Sequence, residues 1–331
     1  MAAVSLDNVT KRYGATAALA NVSCAIERGE MFGIIGPDGA GKTTMIRVMC
    51  GLLRADHGSV RIADRDPVRE HRQVSERVGY LSQRFSLYGD LSIDENIAFF
   101  ADIHGVADYE PRRDRLLEMT RLTPFRARRA DRLSGGMKQK LALACTLVHE
   151  PEVILLDEPT TGVDPVSRRE FWKLLSEFLG QGLTIVMATP YLDEAERCSR
   201  VALLNEGRVL AIDEPGHLQQ LFGGELYELV AAPHRAAYEA LAPIEGIADR
   251  QTFGDRIHVR TAAGEGGRVE AAIRQAFTPA QVRVVSMRRI VPSLEDVFID
   301  RVRGGREADL GAEAPSAKAA GPRGRGAEGE L

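Results

Sequence analysis

The feature that most constrains this chain is the run Gly36-Pro37-Asp38-Gly39-Ala40-Gly41-Lys42-Thr43. It follows the apolar stretch Glu30 to Ile35, which reads as a strand, and opens GKTTMIRVMCGLL, whose apolar residues recur at helical spacing. A G-x-x-x-x-G-K-[ST] run between a strand and a helix is a phosphate-binding loop, because glycines let successive backbone N–H groups face an anion at the positive end of a helix. Lys42 is expected to contact the β and γ phosphates, and the Thr43 hydroxyl, followed by Thr44, to bind Mg²⁺. The loop therefore demands an α/β core built around a buried strand.

The rest of the chain supplies that core. Val153 to Leu156 and Leu183 to Ala188 are unbroken apolar runs, the pattern of parallel strands buried on both faces, with a helix expected over Pro165 to Leu179. Val4, Leu6 and Val9 alternate as a strand of a β layer near the N-terminus, and Ser59 to Ile62 reads as another. Between about 84 and 150 the pattern is mostly helical, and Ser92-Ile93-Asp94-Glu95 has the form of a capping box. From about Gly223 short strands and helices suggest a separate α+β unit ending near 303, and the Gly- and Ala-rich residues from Gly304 onward read as a disordered tail. The organisation expected is thus 1–222, 223–303 and 304–331.

Composition removes several classes of function. A net charge of −4 with no long basic block offers no general attraction to nucleic acid, and no partner of that kind is expected. Four scattered cysteines, Cys24, Cys50, Cys145 and Cys198, lack metal-ligand spacing and read as reduced buried thiols. No segment approaches the ~18 apolar residues of a membrane span, so work at a membrane would require other chains.

Two carboxylates, Asp157 and Glu158, leave the end of the strand Val153 to Leu156, where α/β sheets bind ligands. Asp157 is expected to hold Mg²⁺, and Glu158 to orient and polarise an attacking water. Ser134, Gly135 and Gly136, within Leu133-Ser134-Gly135-Gly136-Met137-Lys138-Gln139, open a helix and form a second anion cradle.

With these motifs in this order the sequence resembles the ABC ATPase family over about residues 1 to 220. The segment from Leu133 matches the family's LSGGQ signature except at Met137. The resemblance implies ATP with Mg²⁺, and a head-to-tail pair in which the signature of one ATPase subunit covers the γ-phosphate bound by the other. The working pair is either two identical chains or two related ones. It also implies that Tyr13 stacks on adenine, that Gln83 meets Mg²⁺ and the attacking water, and that Asp164 crosses the dimer interface. The C-terminal unit, ending Pro292-Ser293-Leu294-Glu295-Asp296-Val297-Phe298-Ile299, resembles the extension of ATPases paired with ABC-2-type permeases, many of them exporters. A dimer-stabilising or regulatory role for this unit is the alternative. By that likeness the chain would sit at the cytoplasmic face of the inner or plasma membrane, held by membrane-spanning permease subunits.

One departure stands out. Where the family usually has a histidine contacting the γ-phosphate, this chain has Pro190, within Thr189-Pro190-Tyr191. Proline carries neither a side-chain donor nor a backbone N–H. Slow or partner-dependent hydrolysis is the favoured consequence, and substitution by a neighbour such as Thr189 is the alternative. Soluble relatives acting in translation or repair are disfavoured by the single phosphate loop and the lack of sustained heptads. A non-hydrolysing ATP-dependent binding protein is a third reading, motivated by Pro190.

Overall fold

Alternation at the N-terminus continues further than Val4, Leu6 and Val9 suggest. The computed structural model describes residues 2–83 and 87–312. Strand β1 (Ala2–Tyr13) pairs antiparallel with β2 (Thr16–Glu27), which buries Val22, Cys24 and Ile26 at every second position. Next come β3 (Met31–Ile35), helix α1 (Lys42–Met49) and β4 (His57–Ile62), which pairs with the free side of β1. These give a three-stranded antiparallel layer in the order β2-β1-β4.

After α2 (His71–Ser75) and β5 (Val78–Leu81) the chain leaves for the helical segment, α3 (Ile93–Ile103), α4 (Glu110–Thr120) and α5 (Gly135–Leu147). The capping box at Ser92 forms as expected: its hydroxyl accepts from the Glu95 N–H at 3.2 Å, and its own N–H donates to the Glu95 carboxylate at 2.7 Å. The chain returns through β6 (Val153–Asp157), α6 (Pro165–Leu179), β7 (Thr184–Thr189), α7 (Leu192–Ala195), β8 (Arg200–Asn205), β9 (Arg208–Asp213) and α8 (Pro215–Gln220).

The central sheet has the order β5-β6-β7-β3-β8-β9 and is parallel except for β9. The middle residues of its parallel strands are apolar because both faces are covered. Phe32, Ile34, Val153, Leu155, Val186, Ala188, Ala202 and Leu204 face the antiparallel layer and α1. Their alternate neighbours, Met31, Ile35, Ile154, Leu156, Ile185, Met187, Val201 and Leu203, face the helical segment and α6.

Past β10 (Glu225–Ala232) the chain forms α9 (His234–Ala240), β11 (Ile247–Phe253), β12 (Arg256–Thr261), α10 (Gly266–Phe277), β13 (Arg283–Ile290) and α11 (Leu294–Ala312). A β-α-β-β-α-β order with the antiparallel sheet β11-β12-β10-β13 is the ferredoxin-like arrangement. Its own core includes Leu229, Ile257, Val259, Ile273 and Phe277. The last helix departs from expectation in two ways. Leu294 and Val297 join the core of the main body with Leu218 of α8, so α11 belongs to both units. It also runs to Ala312, past the Gly304 where the tail was expected to begin. Once a helix is nucleated by packing, extension adds a hydrogen bond per residue at little cost, which carries it through the glycine pair. The remainder of that expected tail, 313–331, lies outside the described residues.

Candidate functional site

The phosphate loop is shaped by close approach. A Cβ on Gly36 would stand 2.1 Å from the Leu204 carbonyl oxygen, and one on Gly41, at φ 107°, would stand 2.3 Å from the Ala18 carbonyl oxygen. Only glycine fits both places. Ala40 is buried beneath the loop, while Pro37, Asp38 and Gly39 form its exposed lip. Lys42, 4% exposed, bends back so that its ammonium donates to the carbonyls of Gly36 at 2.9 Å and Pro37 at 3.1 Å. The same group lies 3.3 Å from the Glu158 carboxylate.

The Thr43 hydroxyl donates to Asp157 Oδ1 at 3.0 Å, and Thr44 follows it, half-buried. Asp157 is 1% exposed, and its Oδ2 is buried without a hydrogen-bond partner. Burial raises its carboxyl pKa, with the neighbouring Glu158 charge adding and the Thr43 hydrogen bond opposing. An orphaned carboxylate oxygen beside a hydroxyl is a donor set that fits a hard divalent cation such as Mg²⁺. Gln83, after β5, donates its side-chain amide to Glu158 Oε2 at 2.9 Å.

Glu158 itself sits at φ 51°, a left-handed conformation costly for a residue with a Cβ. Its N–H donates to the Ala188 carbonyl at 2.9 Å, which ties the turn after β6 to the end of β7. Strain of this kind persists only where surrounding contacts over-determine it. Lys42, Thr43, Gln83, Asp157 and Glu158 therefore converge in the fold although they come from three separate stretches of sequence.

Ser134 caps α5, its hydroxyl accepting from the Met137 N–H at 3.3 Å. Gly135 is open to solvent on its Cβ side, whereas a Cβ on Gly136 would meet the Ser167 hydroxyl at 2.3 Å, so this glycine lets α5 pack on α6. Asp164 caps α6 through Val166 N–H at 3.1 Å and Ser167 N–H at 3.0 Å; the Ser167 hydrogen bonds hold its pKa below the usual carboxylate range. No hydrogen bond among the described residues joins Ser134, Gly135, Gly136 or Asp164 to the phosphate loop. Tyr13 ends β1, 50% exposed, with the Lys11 ammonium 5.9 Å from its ring centre.

The turn at Pro190 is arranged differently from one alternative raised above. The Thr189 hydroxyl is directed inward to Glu194 Oε2 at 2.7 Å, and Thr189 is fully buried. It also accepts from the Tyr191 N–H at 3.1 Å, so it offers no free donor toward the phosphate loop. Glu194 was not singled out in the sequence: it lies in the acidic run Asp193-Glu194-Ala195-Glu196, and nothing local marks which acid turns inward. The four cysteines are free and buried, and burial pushes their thiols up, to about 12 for Cys24 and about 11 for Cys50.

Comparison with known proteins agrees with this geometry. A family model described as ABC transporter matches residues 19–161. The probable multidrug ABC transporter ATP-binding protein YbhF of Escherichia coli K12 is 40% identical over 324 residues, covering 94% of this chain but 54% of YbhF, so the chain spans about half that relative's length. The daunorubicin resistance ATP-binding protein DrrA3 of Streptomyces coeruleorubidus is 36% identical over 305 residues, covering 90% of this chain and 95% of DrrA3. Among solved structures, an ATP-binding subunit of an ABC transporter superposes with TM-score 0.61 at 29% identity, covering 66% of this chain and 92% of the other. The dimeric bacterial ABC transporter cassette MJ0796 superposes with TM-score 0.57 at 30% identity, covering 64% of this chain and 98% of MJ0796. Matched along nearly its whole length by such relatives, the chain belongs to the ATP-binding proteins of the ABC transporter family.

Proposed function

We propose that the chain binds and hydrolyses ATP to drive export through separate membrane-spanning subunits, and that it works as one of a pair. The observation that carries this reading is the convergence of Lys42, Gln83 and Glu158 beside the Thr43–Asp157 pair. Lys42 leaves its carbonyl partners for the β and γ phosphates while the loop amides from Gly36 to Thr43 hold the remaining oxygens. Thr43 and Asp157, with Gln83, would hold Mg²⁺, which when bound would supply charge neutralisation at the phosphates. Glu158 accepts a hydrogen bond from the attacking water and takes its proton as the water oxygen bonds to the γ-phosphorus; the bond from that phosphorus to the β–γ bridging oxygen breaks, giving ADP and phosphate. Among the described residues Ser134, Gly135, Gly136 and Asp164 make no hydrogen bond to the phosphate loop of their own chain, which supports their use by the partner's nucleotide. Tyr13, half exposed, is left for the adenine.

No helix among the described residues is long and apolar enough to cross a membrane. Association with permease subunits at the cytoplasmic face is the reading that fits this and the names of the relatives. The exporter assignment draws on the multidrug and daunorubicin-resistance relatives.

Steady-state phosphate release tests the site. Lys42→Ala is expected to weaken ATP binding at least about tenfold, since it removes charge-assisted hydrogen bonds. Glu158→Gln is expected to bind ATP normally while losing roughly 10²- to 10³-fold in kcat. Equal turnover by wild type and Glu158→Gln would remove Glu158 from its role.

A further inference from the structure

Next to the hydrolytic cluster lies a buried carboxylate that the proposed chemistry does not use. Glu194, on α7, is 1% exposed. Its Oε1 accepts from the Thr160 hydroxyl at 2.5 Å and from the Trp172 indole N–H at 3.4 Å, and its Oε2 accepts from the Thr189 hydroxyl at 2.7 Å. The Arg168 guanidinium, stacked 4.7 Å over the Tyr191 ring, approaches Oε1 at 3.7 Å and balances its charge. A carboxylate buried this deeply is tolerable only when donors surround it, and here they do.

The donors come from three segments. Thr160 lies two residues past Glu158, Thr189 is the last residue of β7, and Arg168 and Trp172 lie on α6. Besides the Glu158 N–H bond to the Ala188 carbonyl, the turn after Glu158 is held within itself by Thr161 N–H to the Glu158 carbonyl at 3.2 Å, the Thr161 hydroxyl to Glu158 Oε2 at 3.4 Å and Val163 N–H to the Thr160 carbonyl at 3.1 Å. Glu158 occupies a left-handed conformation that relaxes unless the following turn is anchored. Thr160 on Glu194 is a second anchor, on the far side of the turn from the Glu158 N–H bond to Ala188.

From this geometry we infer that Glu194 is a positioning residue for hydrolysis: by clamping Thr160 to Thr189 it keeps the strained Glu158 aimed at Gln83 and Lys42. Pro190 provides no donor of its own, so the turn after β7 acts on the site through this buried clamp. Ground-state nucleotide binding depends on the phosphate loop, which Glu194 does not touch. Loss of the clamp therefore lowers kcat and leaves ATP affinity in place.

The inference rests on Glu158 being the group that polarises water, and the test separates the two. Phosphate release, ATP binding and thermal unfolding are measured for Glu158→Gln, Glu194→Gln, Thr160→Val, Thr189→Val and the Thr160→Val/Thr189→Val pair. The expected result is a fall in kcat of about tenfold for Glu194→Gln and for each valine variant, with the Kd for ATP within about twofold; each variant unfolds at a lower temperature, because a donor or the charge is removed from a buried site, but remains folded at the assay temperature. The valine pair is expected to lose little more than the larger single loss, because both substitutions act through one carboxylate. In a Glu194→Gln background the valine substitutions are expected to add little. Full turnover by folded Glu194→Gln, independent additive losses from the two valines, or losses that fall equally on kcat and on ATP affinity would each overturn the clamp. If Glu158→Gln is inactive while Glu194→Gln is fully active, only the clamp fails; if Glu158→Gln turns over normally, the reading of the site itself fails.

Discussion

Pro190 and Thr189 illustrate how far single residues can be read. Proline's missing N–H and missing side-chain donor follow from its identity, and the expectation of a slowed active site is built on them. The inward direction of the Thr189 hydroxyl does not, because its partner Glu194 is set by the path of α7. The Thr189 hydroxyl is committed to Glu194, and slowed hydrolysis at Pro190 is a proposal that a histidine placed there tests. Pro190→His is expected to raise kcat, by up to about tenfold, since a contact to the γ-phosphate worth about 1.4 kcal/mol in the transition state suffices. Turnover of Pro190→His equal to or below wild type in the same phosphate-release assay would count against this.

Elements report a second kind of information, the cost of their junctions. The segment entering α3 is held by Asn96, fully buried, whose amide donates to the carbonyls of Tyr88 at 3.1 Å, Leu91 at 3.2 Å and Ser92 at 2.9 Å. Asn96→Ala removes these three side-chain bonds and leaves the Tyr88 N–H without the Asn96 side-chain oxygen it donates to at 2.9 Å, while the three carbonyls keep backbone donors, and is expected to cost about 1–2 kcal/mol in urea unfolding; a shift below about 0.5 kcal/mol would show that water replaces the amide. At the far ends of α3 and α5, His104 and His149 stack with ring centres 3.9 Å apart. Burial, with the neighbouring His104, lowers the His149 pKa to about 4, and both its ring nitrogens are buried without partners. Because the folded pKa lies below the unfolded one of about 6.5, the unfolded chain binds the proton more readily, and stability is lost as pH falls from about 6.5 toward 4. Melting curves between about pH 7 and pH 5 are expected to shift down more for wild type than for His149→Asn, and equal shifts would exclude this origin.

At the scale of the molecule, the signature residues and the phosphate loop occupy different parts of one chain, so the proposed function needs a second copy or a related subunit. ATP added to Glu158→Gln is expected to convert monomers to dimers in sedimentation, because hydrolysis no longer removes the shared nucleotide. Ser134→Arg is expected to abolish that conversion while leaving ATP binding by the monomer within about twofold, since the added cation sits at the cap of α5 away from the loop. Dimerisation that survives Ser134→Arg would remove the signature from the interface.

The local motifs were legible because their geometry is local. A phosphate loop needs only a strand, glycines and a helix start in succession, and the carboxylates at Asp157 and Glu158 need only the end of an apolar strand. Strands β3, β6 and β7 could be read as central because burial on both faces leaves no polar alternation. β2 carried an alternation at Val22, Cys24 and Ile26, but alanines and Asn21 weaken it, and β11 is too polar at Asp249, Arg250 and Gln251 to stand out. Tertiary structure alone decided the order of the sheet, the shared packing of α11 against both units, and the meeting of Thr160, Thr189 and Glu194. The last two pairings, with Glu194 as hub, span 34 and 5 residues and depend on how α7 lies against β7 and α6, which is determined by burial of Ala195 and its neighbours in the common core. A hydroxyl or carboxylate takes whichever partner the packing brings within reach, so its direction belongs to the fold and not to its place in the chain.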